Sequence, residues 1–411
     1  MSGVLSGLRV IEGSAFVAAP SAGMTLAQLG ADVIRFDPVG GGLDYRRWPL
    51  GESGASLYWA GLNKGKRSIA IDLRRPAGRE LAAALITAPG AGAGLFLTNF
   101  PASGWLDYET LRADRPDLIM VNIQGNPDGS SEVDYTVNPA TGLPALTGPA
   151  ADPTPVNHVL PAWDLLTGQT AVVALLAAER QRRQTGEGQL VQIALSDIAL
   201  GAMGALGFLA EHEGSAEMRP RYGNDLYGAF GRDFATKDGR RVMIVAITPR
   251  QWDALVRVTG IEEGTVAIER DRGLDLGDAG DRFRATDAIA ALLAPWCAAR
   301  TLPEVRRAFK EGGVAWGPYQ TIPQLLADDP RCSTENPLFE LVDQPGIGPT
   351  LTPGSPLAWS GIPRTAPAPA PRLGADTDAI LRGVLQLSDS AVRRLHDDGV
   401  VAGSDPVTAH G

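Results

Sequence analysis

The sequence predicts an α/β fold, a parallel sheet covered by helices on both faces followed by a smaller α+β domain. Three observations predict it: β-rich runs alternate with helical stretches from the start, composition shifts after Glu213, and a Pro/Gly-rich arm precedes a helical C-terminus. Leu8 to Glu12 is a short β-rich run, Pro20 to Leu29 has helical composition, and Ala31 to Asp37 is again strand-like, which makes a βαβ unit. Strands follow at Arg67 to Ile71, Leu95 to Asn99 and Asp117 to Ile123, with a helix from Gly78 to Ile86. A long apolar-periodic stretch after Asp164 ends in ERQRRQTGEG, where cations in the last turn and Gly186 beyond them stop a helix. The run QLVQIAL reads as a strand, and Ser196 before Asp197 reads as the N-cap of a helix running to Glu211.

Beyond Glu213 the chain is loop-like through RPRYGNDLYGAFG, and Asp238-Gly239 is a turn dipeptide between two strands of a hairpin. From Gln251 to Pro323 the pattern is mostly helical. Gln344 to Arg372, which includes APAPAP, predicts an extended arm. Helices return at Asp376 to Leu387 and Ser388 to Asp397, and the residues after Val401 read as a frayed tail. These breaks divide the chain into 1–213, 214–325 and 326–411.

Bulk properties narrow the function. A chain of 411 residues, 44% hydrophobic and 20% charged, has room for a sizeable core and the composition of a globular protein. No run of about 18 apolar residues occurs, and no basic segment precedes an apolar stretch at the N-terminus, so no membrane association is expected and a cytoplasmic location is. The two cysteines, Cys297 and Cys332, lack metal-ligand spacing, and His158, His212, His396 and His410 are scattered, so no metal is expected. A net charge of −10 argues against nucleic acid as a partner but leaves room for a local basic patch.

No GxxxxGK[ST] loop is present, and Gly40, Gly41 and Gly42 lack dinucleotide-binding spacing. The segment NKGKRS, Asn63 to Ser68, sets three cations before a strand; a phosphate contact and a solvated charge run are both open readings. Asp164 lies near the first turn of a long helix, where the dipole and free amides are expected to hold it ionised. By position alone it is a helix cap or a functional carboxylate. His158, six residues upstream, is a structural histidine or an acid-base partner; no GxSxG elbow accompanies it.

The strings GLRVIEGSAFVAAP, LAQLGADVIRFDP, NKGKRSIAIDL, LTNFPASG, PDLIMVNIQG, WDLLTGQTAVVALLAAERQRRQTGEGQLVQIALSD and APRLGADTDAIL occur in this order over nearly the whole chain. In order and spacing they resemble class III CoA-transferases. Within that family EGSAFVAAP, NHVLPAWD, YGAFGRDF and QPGIG are similar to the subgroup that moves CoA between C1 and C4 of mesaconate in the 3-hydroxypropionate cycle.

The resemblance implies that Asp164 is the catalytic carboxylate. It places Phe16, Val17 and Ala18, then Asn63, Lys64 and Lys66, then Asn99, Phe100 and Pro101, and finally Asp134 and Tyr135 along CoA. CoA enters as part of the substrate, with no permanently bound cofactor. Formyl-CoA:oxalate transferases carry Gln where this chain has Val17 and Arg where it has Pro38, so the acid pocket must differ. Racemases of the superfamily carry His where this chain has Val133, so one of their two acid-base groups is missing. His158, Arg46 and Arg47 are candidates for holding the free carboxylate of the substrate.

The implied reaction converts 2-methylfumaryl-CoA to 3-methylfumaryl-CoA through an aspartyl anhydride and an aspartyl-CoA thioester, with amides at the helix start as candidate oxyanion donors. An intermolecular transferase using a free dicarboxylate and a non-catalytic acyl-CoA binding protein are the alternatives. The resemblance also implies that 1–213 and 326–411 form one large Rossmann-like domain around a small domain, 214–325, and that two ring-like subunits interlock as a homodimer.

Overall fold

The computed structural model describes residues 3–215 and 218–404. Two compact units result, one from Met1–Thr141, Val159–Glu213 and Pro330–Gly411, the other from Gly142–His158 and Gly214–Asp329.

In the first unit the chain runs β1 (Arg9–Gly13), α1 (Ala18–Gln28), β2 (Asp32–Asp37), α2 (Leu57–Leu62), β3 (Arg67–Ile71), α3 (Pro76–Ile86), β4 (Leu95–Thr98), α4 (Tyr108–Asp114), β5 (Ile119–Gln124) and α5 (Asp134–Ala140). After α6 (Leu143–Leu146), which groups with the second unit, it continues with α7 (Ala162–Thr185), β6 (Gln189–Ala194) and α8 (Leu195–Ala205). These six strands lie in the order β3-β2-β1-β4-β5-β6, all parallel, so the two halves of the sheet diverge between β1 and β4.

Alternation along the strands explains why both faces are covered. Val10, Val33, Leu97 and Val121 point into one layer with Ala18, Ala22 and Leu26 of α1 and Ala171 and Leu175 of α7. Their neighbours Ile11, Ile34, Phe96 and Met120 point into the other, with Ala82 and Leu85 of α3 and Ile380 and Leu381 near the C-terminus. Each fully buried side chain of this size contributes about 1.5–3 kcal/mol. These strands therefore read as continuous apolar runs rather than as alternating ones.

The second unit contains β7 (Phe230–Ala235), β8 (Arg241–Ala246) and β9 (Ala315–Tyr319) in an antiparallel sheet. The Asp238-Gly239 turn closes the predicted hairpin, with Ala235 opposite Arg241 and Gly239 at φ +73°. Helices Pro249–Thr259, Thr286–Ala298 and Leu302–Gly312 cover the sheet through Leu255, Ile289, Leu293 and Phe309. Arg282, fully buried, donates to the carbonyls of Leu276 (2.7 Å) and Ile247 (2.7 Å).

Several expectations change. β9 falls in a stretch read as helical; Gly317 and Pro318 disfavour a helix, and β8 offers the segment a ladder instead. The helix after β6 begins at Leu195 with Ala194 as N-cap, so Ser196 lies inside its first turn, and Gly207 at φ 82° splits off a separate helix, Phe208–His212. The Pro/Gly-rich arm is partly regular: β10 (Phe339–Gln344) and β11 (Gly348–Pro353) form a hairpin. Val401–Ala402 form β12, antiparallel to β3, where a frayed tail was expected; the rest of that tail, 405–411, lies outside the described residues. Finally, residues 142–158 group with the second unit and not with the N-terminal segment. There Arg221 gathers the loop by donating to the carbonyls of Ala145 (2.6 Å) and Thr154 (2.8 Å).

Candidate active site

A parallel sheet whose order reverses leaves a crevice beyond the C-terminal ends of the strands at the reversal, because the two following connections leave in opposite directions. Here β1 and β4 flank it, and their loops are tied together. Thr98 donates through Oγ1 to the Gly13 carbonyl (2.7 Å), and Asn99 pairs with Ala15 twice, Oδ1 accepting from its amide (2.9 Å) and Nδ2 donating to its carbonyl (2.7 Å).

Phe16 then takes the left-handed conformation, φ 66°, which costs a residue with a Cβ of order 1–3 kcal/mol. The surroundings impose it. The buried Asp44 carboxylate accepts from the Phe16 amide (2.9 Å) and from Arg35 (3.2 Å), and Arg35 also holds the Ser14 carbonyl (2.9 Å). The Phe16 ring turns outward, 37% exposed, under the Arg47 guanidinium, while Val17 and Ala18 are buried at the start of α1.

The helix carrying Asp164 reaches this crevice because α7 packs closely on α1. A Cβ at Gly168 would stand 2.2 Å from Ser21 Oγ and 2.7 Å from the Ala18 carbonyl oxygen, so only glycine permits the approach. Asp164 sits one turn before Gly168, in the first turn of α7. The N-cap of α7 is Pro161, whose side chain cannot accept a hydrogen bond. Asp134, 1% exposed, takes over that role across 29 residues: its Oδ2 accepts from the amides of Trp163 (2.7 Å) and Asp164 (3.1 Å).

This corrects two expectations. Asp164 is not held ionised by the helix start; burial first, and then the negative charge of Asp134, push its carboxyl up to about 7, with Arg47 acting in the opposite direction. The Trp163 and Asp164 amides, which sequence offered as oxyanion donors, already serve Asp134. Asp134 itself is a buried cap. Its neighbour Tyr135 is 46% exposed and donates from its hydroxyl to the Val159 carbonyl (3.3 Å).

The basic turn also reads differently. Lys66 Nζ is sealed in the protein against Glu12 Oε1 (2.8 Å), the Pro20 carbonyl (2.9 Å) and Asn63 Oδ1 (2.9 Å), and burial lowers its pKa to about 8. With no solvent exposure and three acceptors the Lys66 ammonium faces inward, and so does Asn63, which also accepts from Arg35 (3.1 Å). Lys64 is 6% exposed, donates to the Gly61 carbonyl (2.6 Å) and is lowered by burial to about 8.

Phe100 and Pro101 continue from Asn99 at the crevice, with the Phe100 carbonyl held by Asn122 Nδ2 (3.1 Å). Of the two arginines, Arg47 acts on Asp164, while Arg46 is exposed. His158 is half-buried at the end of the segment that groups with the second unit. Sequence reasoning missed Tyr58, whose hydroxyl is buried without a hydrogen-bond partner among the described residues and is pushed up by burial, with Arg47, Asp44, Asp164 and Tyr135 also acting on it. It missed Arg35 and Asp44 as well, although a cation in the apolar run of β2 with an acid two residues on was a visible signal of a buried ion pair. Among the described residues, no group of three or more His, Cys, Asp or Glu is placed to hold a metal.

A family model for CoA-transferase family III matches residues 5–377. The chain belongs to CoA-transferase family III. It is 62% identical over 406 residues, 98% of this chain and 99% of the relative, to 2-methylfumaryl-CoA isomerase of Chloroflexus aurantiacus. It is 31% identical to succinyl-CoA:mesaconate CoA-transferase of Haloarcula marismortui, over 90% of this chain and 92% of that one. Among solved structures, a CAIB/BAIF family protein from Brucella suis superimposes with a TM-score of 0.76 at 26% identity, covering 93% of this chain and all 100% of the other. The family's fold and the parallel sheet described above agree, and CoA thioesters are the family's substrates.

Proposed function

We propose that the chain is an isomerase that converts 2-methylfumaryl-CoA to 3-methylfumaryl-CoA by moving CoA between the two carboxylates of one diacid, with Asp164 as nucleophile. The observation that carries this reading is the Asp164 carboxylate itself: half-buried at the crevice, with no hydrogen-bond donor on its oxygens among the described residues, and subject to the charge of Arg47. The identity to the Chloroflexus isomerase over nearly the whole chain supports the same substrate.

The ionised Asp164 attacks the C1 thioester carbonyl; a C–O bond forms, the C–S bond breaks, and CoA leaves as thiolate, giving a mixed anhydride. The thiolate attacks the aspartyl carbonyl, the anhydride C–O bond breaks, and the C1 carboxylate is released while CoA is held as an aspartyl thioester. The C4 carboxylate then attacks that thioester, and the two steps run in reverse. Protons and electrons balance without an outside acceptor. CoA lies along Phe16–Ala18 and Asn99–Pro101, Tyr135 and Lys64 remain its further contacts, and Arg47 holds the free carboxylate. Water must be excluded while the anhydride exists. The working form is a homodimer of interlocked subunits.

The test is incubation with 2-methylfumaryl-CoA alone and with isotope-labelled free mesaconate added, followed by chromatography. Formation of 3-methylfumaryl-CoA without label supports the intramolecular reaction. Product that carries label assigns an intermolecular transferase, and no product at all overturns the reading.

A further inference from the structure

We propose that Asp134 is a positioning residue for Asp164: its buried carboxylate caps the helix that carries the nucleophile, takes the two amides that would otherwise solvate a first-turn carboxylate, and sets a negative charge behind it. The proposal rests on Asp164 being the reacting carboxylate, and it assigns to Asp134 a part in the chemistry without contact to the substrate.

A carboxylate in the first turn of a helix ordinarily folds back onto the free amides or is favoured by them. Such a carboxylate is well solvated and a poor nucleophile. In α7 the capping position is Pro161, so the amides of Trp163 and Asp164 need an acceptor from elsewhere. Asp134 supplies it from the first residue of α5, at 2.7 and 3.1 Å, with the side chain sealed from solvent. The same short stretch fixes the position further: Trp163 Nε1 donates to Asn138 Oδ1 (3.0 Å), one turn along α5. Two hydrogen bonds to the cap and one to the indole lock the first turn of α7 onto α5, while the Asp164 side chain is left without a donor among the described residues.

The groups whose charge acts on Asp164 are Asp134 on α5 and Arg47 on the loop before α2; Tyr58 on α2 senses Asp164, and its phenol also senses Asp44 and Tyr135. Among the described residues Asp134 both touches the backbone of Asp164 and opposes its ionisation.

Asp134→Asn tests the idea, because an amide oxygen still caps the helix while the charge is gone. In the Asp134→Asn variant the acid limb of kcat/KM is expected to move down by about one pH unit, as removal of a nearby like charge predicts. Selective ¹³C labelling of aspartate reads the Asp164 titration directly, with the signal assigned by its loss in Asp164→Asn, and needs no turnover. The same downward shift of about one unit is expected there. An unmoved titration in a folded Asp134→Asn overturns the proposal even if the enzyme is active. A moved titration in a protein without isomerase activity upholds the role of Asp134 and overturns instead the function assigned to Asp164. Asp134→Ala, which loses cap and charge together, is expected to lower the melting temperature where Asp134→Asn does not.

Discussion

Replacing Asp164 by Asn separates the two roles of that carboxylate, because its environment is built at the expense of stability. With an unfolded value of ~3.9 and a folded value of about 7, the folded protein holds the Asp164 proton more tightly than the unfolded chain does. Stability must therefore fall as pH rises through the window between these values. Linkage gives a cost of roughly 1.5 kcal/mol at pH 5 and roughly 4 kcal/mol at pH 8, upper limits for a carboxylate that retains some contact with water. Asp164→Asn does not titrate. It should be more stable than the parent protein at pH 8 and should lose most of that advantage at pH 5, a change of up to about 2.5 kcal/mol between the two. Urea unfolding of both proteins at the two pH values measures it. At the same time kcat should drop by about a thousandfold or more, and in the parent the acid limb of kcat/KM should lie near pH 7. Stability curves that run parallel from pH 5 to pH 8 would refute the reasoning, since they would mean that Asp164 ionises as easily in the fold as outside it.

Three further outcomes follow from the same geometry. Arg47→Met removes the cation that favours ionised Asp164, so the acid limb of kcat/KM should move up, and KM should rise if Arg47 holds the substrate carboxylate; a limb that moves down contradicts the assignment. Lys66→Met leaves Glu12 buried with Arg35 at 3.5 Å as its remaining ion pair, and should cost about 3–5 kcal/mol in urea unfolding. If stability is unchanged and CoA affinity falls with a smaller salt dependence instead, Lys66 is a phosphate contact after all. Gly168→Ala should push α7 away from the Ala18 carbonyl, at a cost of about 1–3 kcal/mol, and displace Asp164 enough to lower kcat at least about tenfold; a variant with unchanged melting and turnover would show that the close approach is unimportant.

Much of the fold was legible because its signals are local. The apolar runs of β1, β2 and β3, the helix-stop at Gly186 and the turn at Asp238-Gly239 each act within a few residues, and the strand Arg67–Ile71 falls where the pattern put it. β9 was not legible, because AWGPY has no strong strand pattern of its own and forms a strand by pairing with β8, about 70 residues earlier in the chain. β12 was hidden for the same reason: two residues, Val401 and Ala402, carry no strand pattern of their own until an open edge of β3 pairs with them.

At the site the division is equally physical. Asp164 is singled out by the ordered motifs around it, and its place near the first turn of a long helix is visible in the pattern. The sign of its electrostatic environment is not, because that depends on which acceptor reaches the amides of α7. Sequence distance conceals Asp134 as that acceptor, 30 residues before Asp164, and only folding brings its carboxylate to 3.1 Å from the Asp164 amide. The three cations of NKGKRS show the same limit from the other side: composition announces a charged turn, but only packing decides that the Lys66 ammonium turns inward to Glu12, 54 residues away. The sequence by itself determined the parallel strands and the helices that cover them, and it marked Asp164 as the candidate carboxylate, since these follow from periodicity and motif. The tertiary structure alone decided which buried partners each charge meets, since a charge's energy depends on distances between residues that the chain order leaves open.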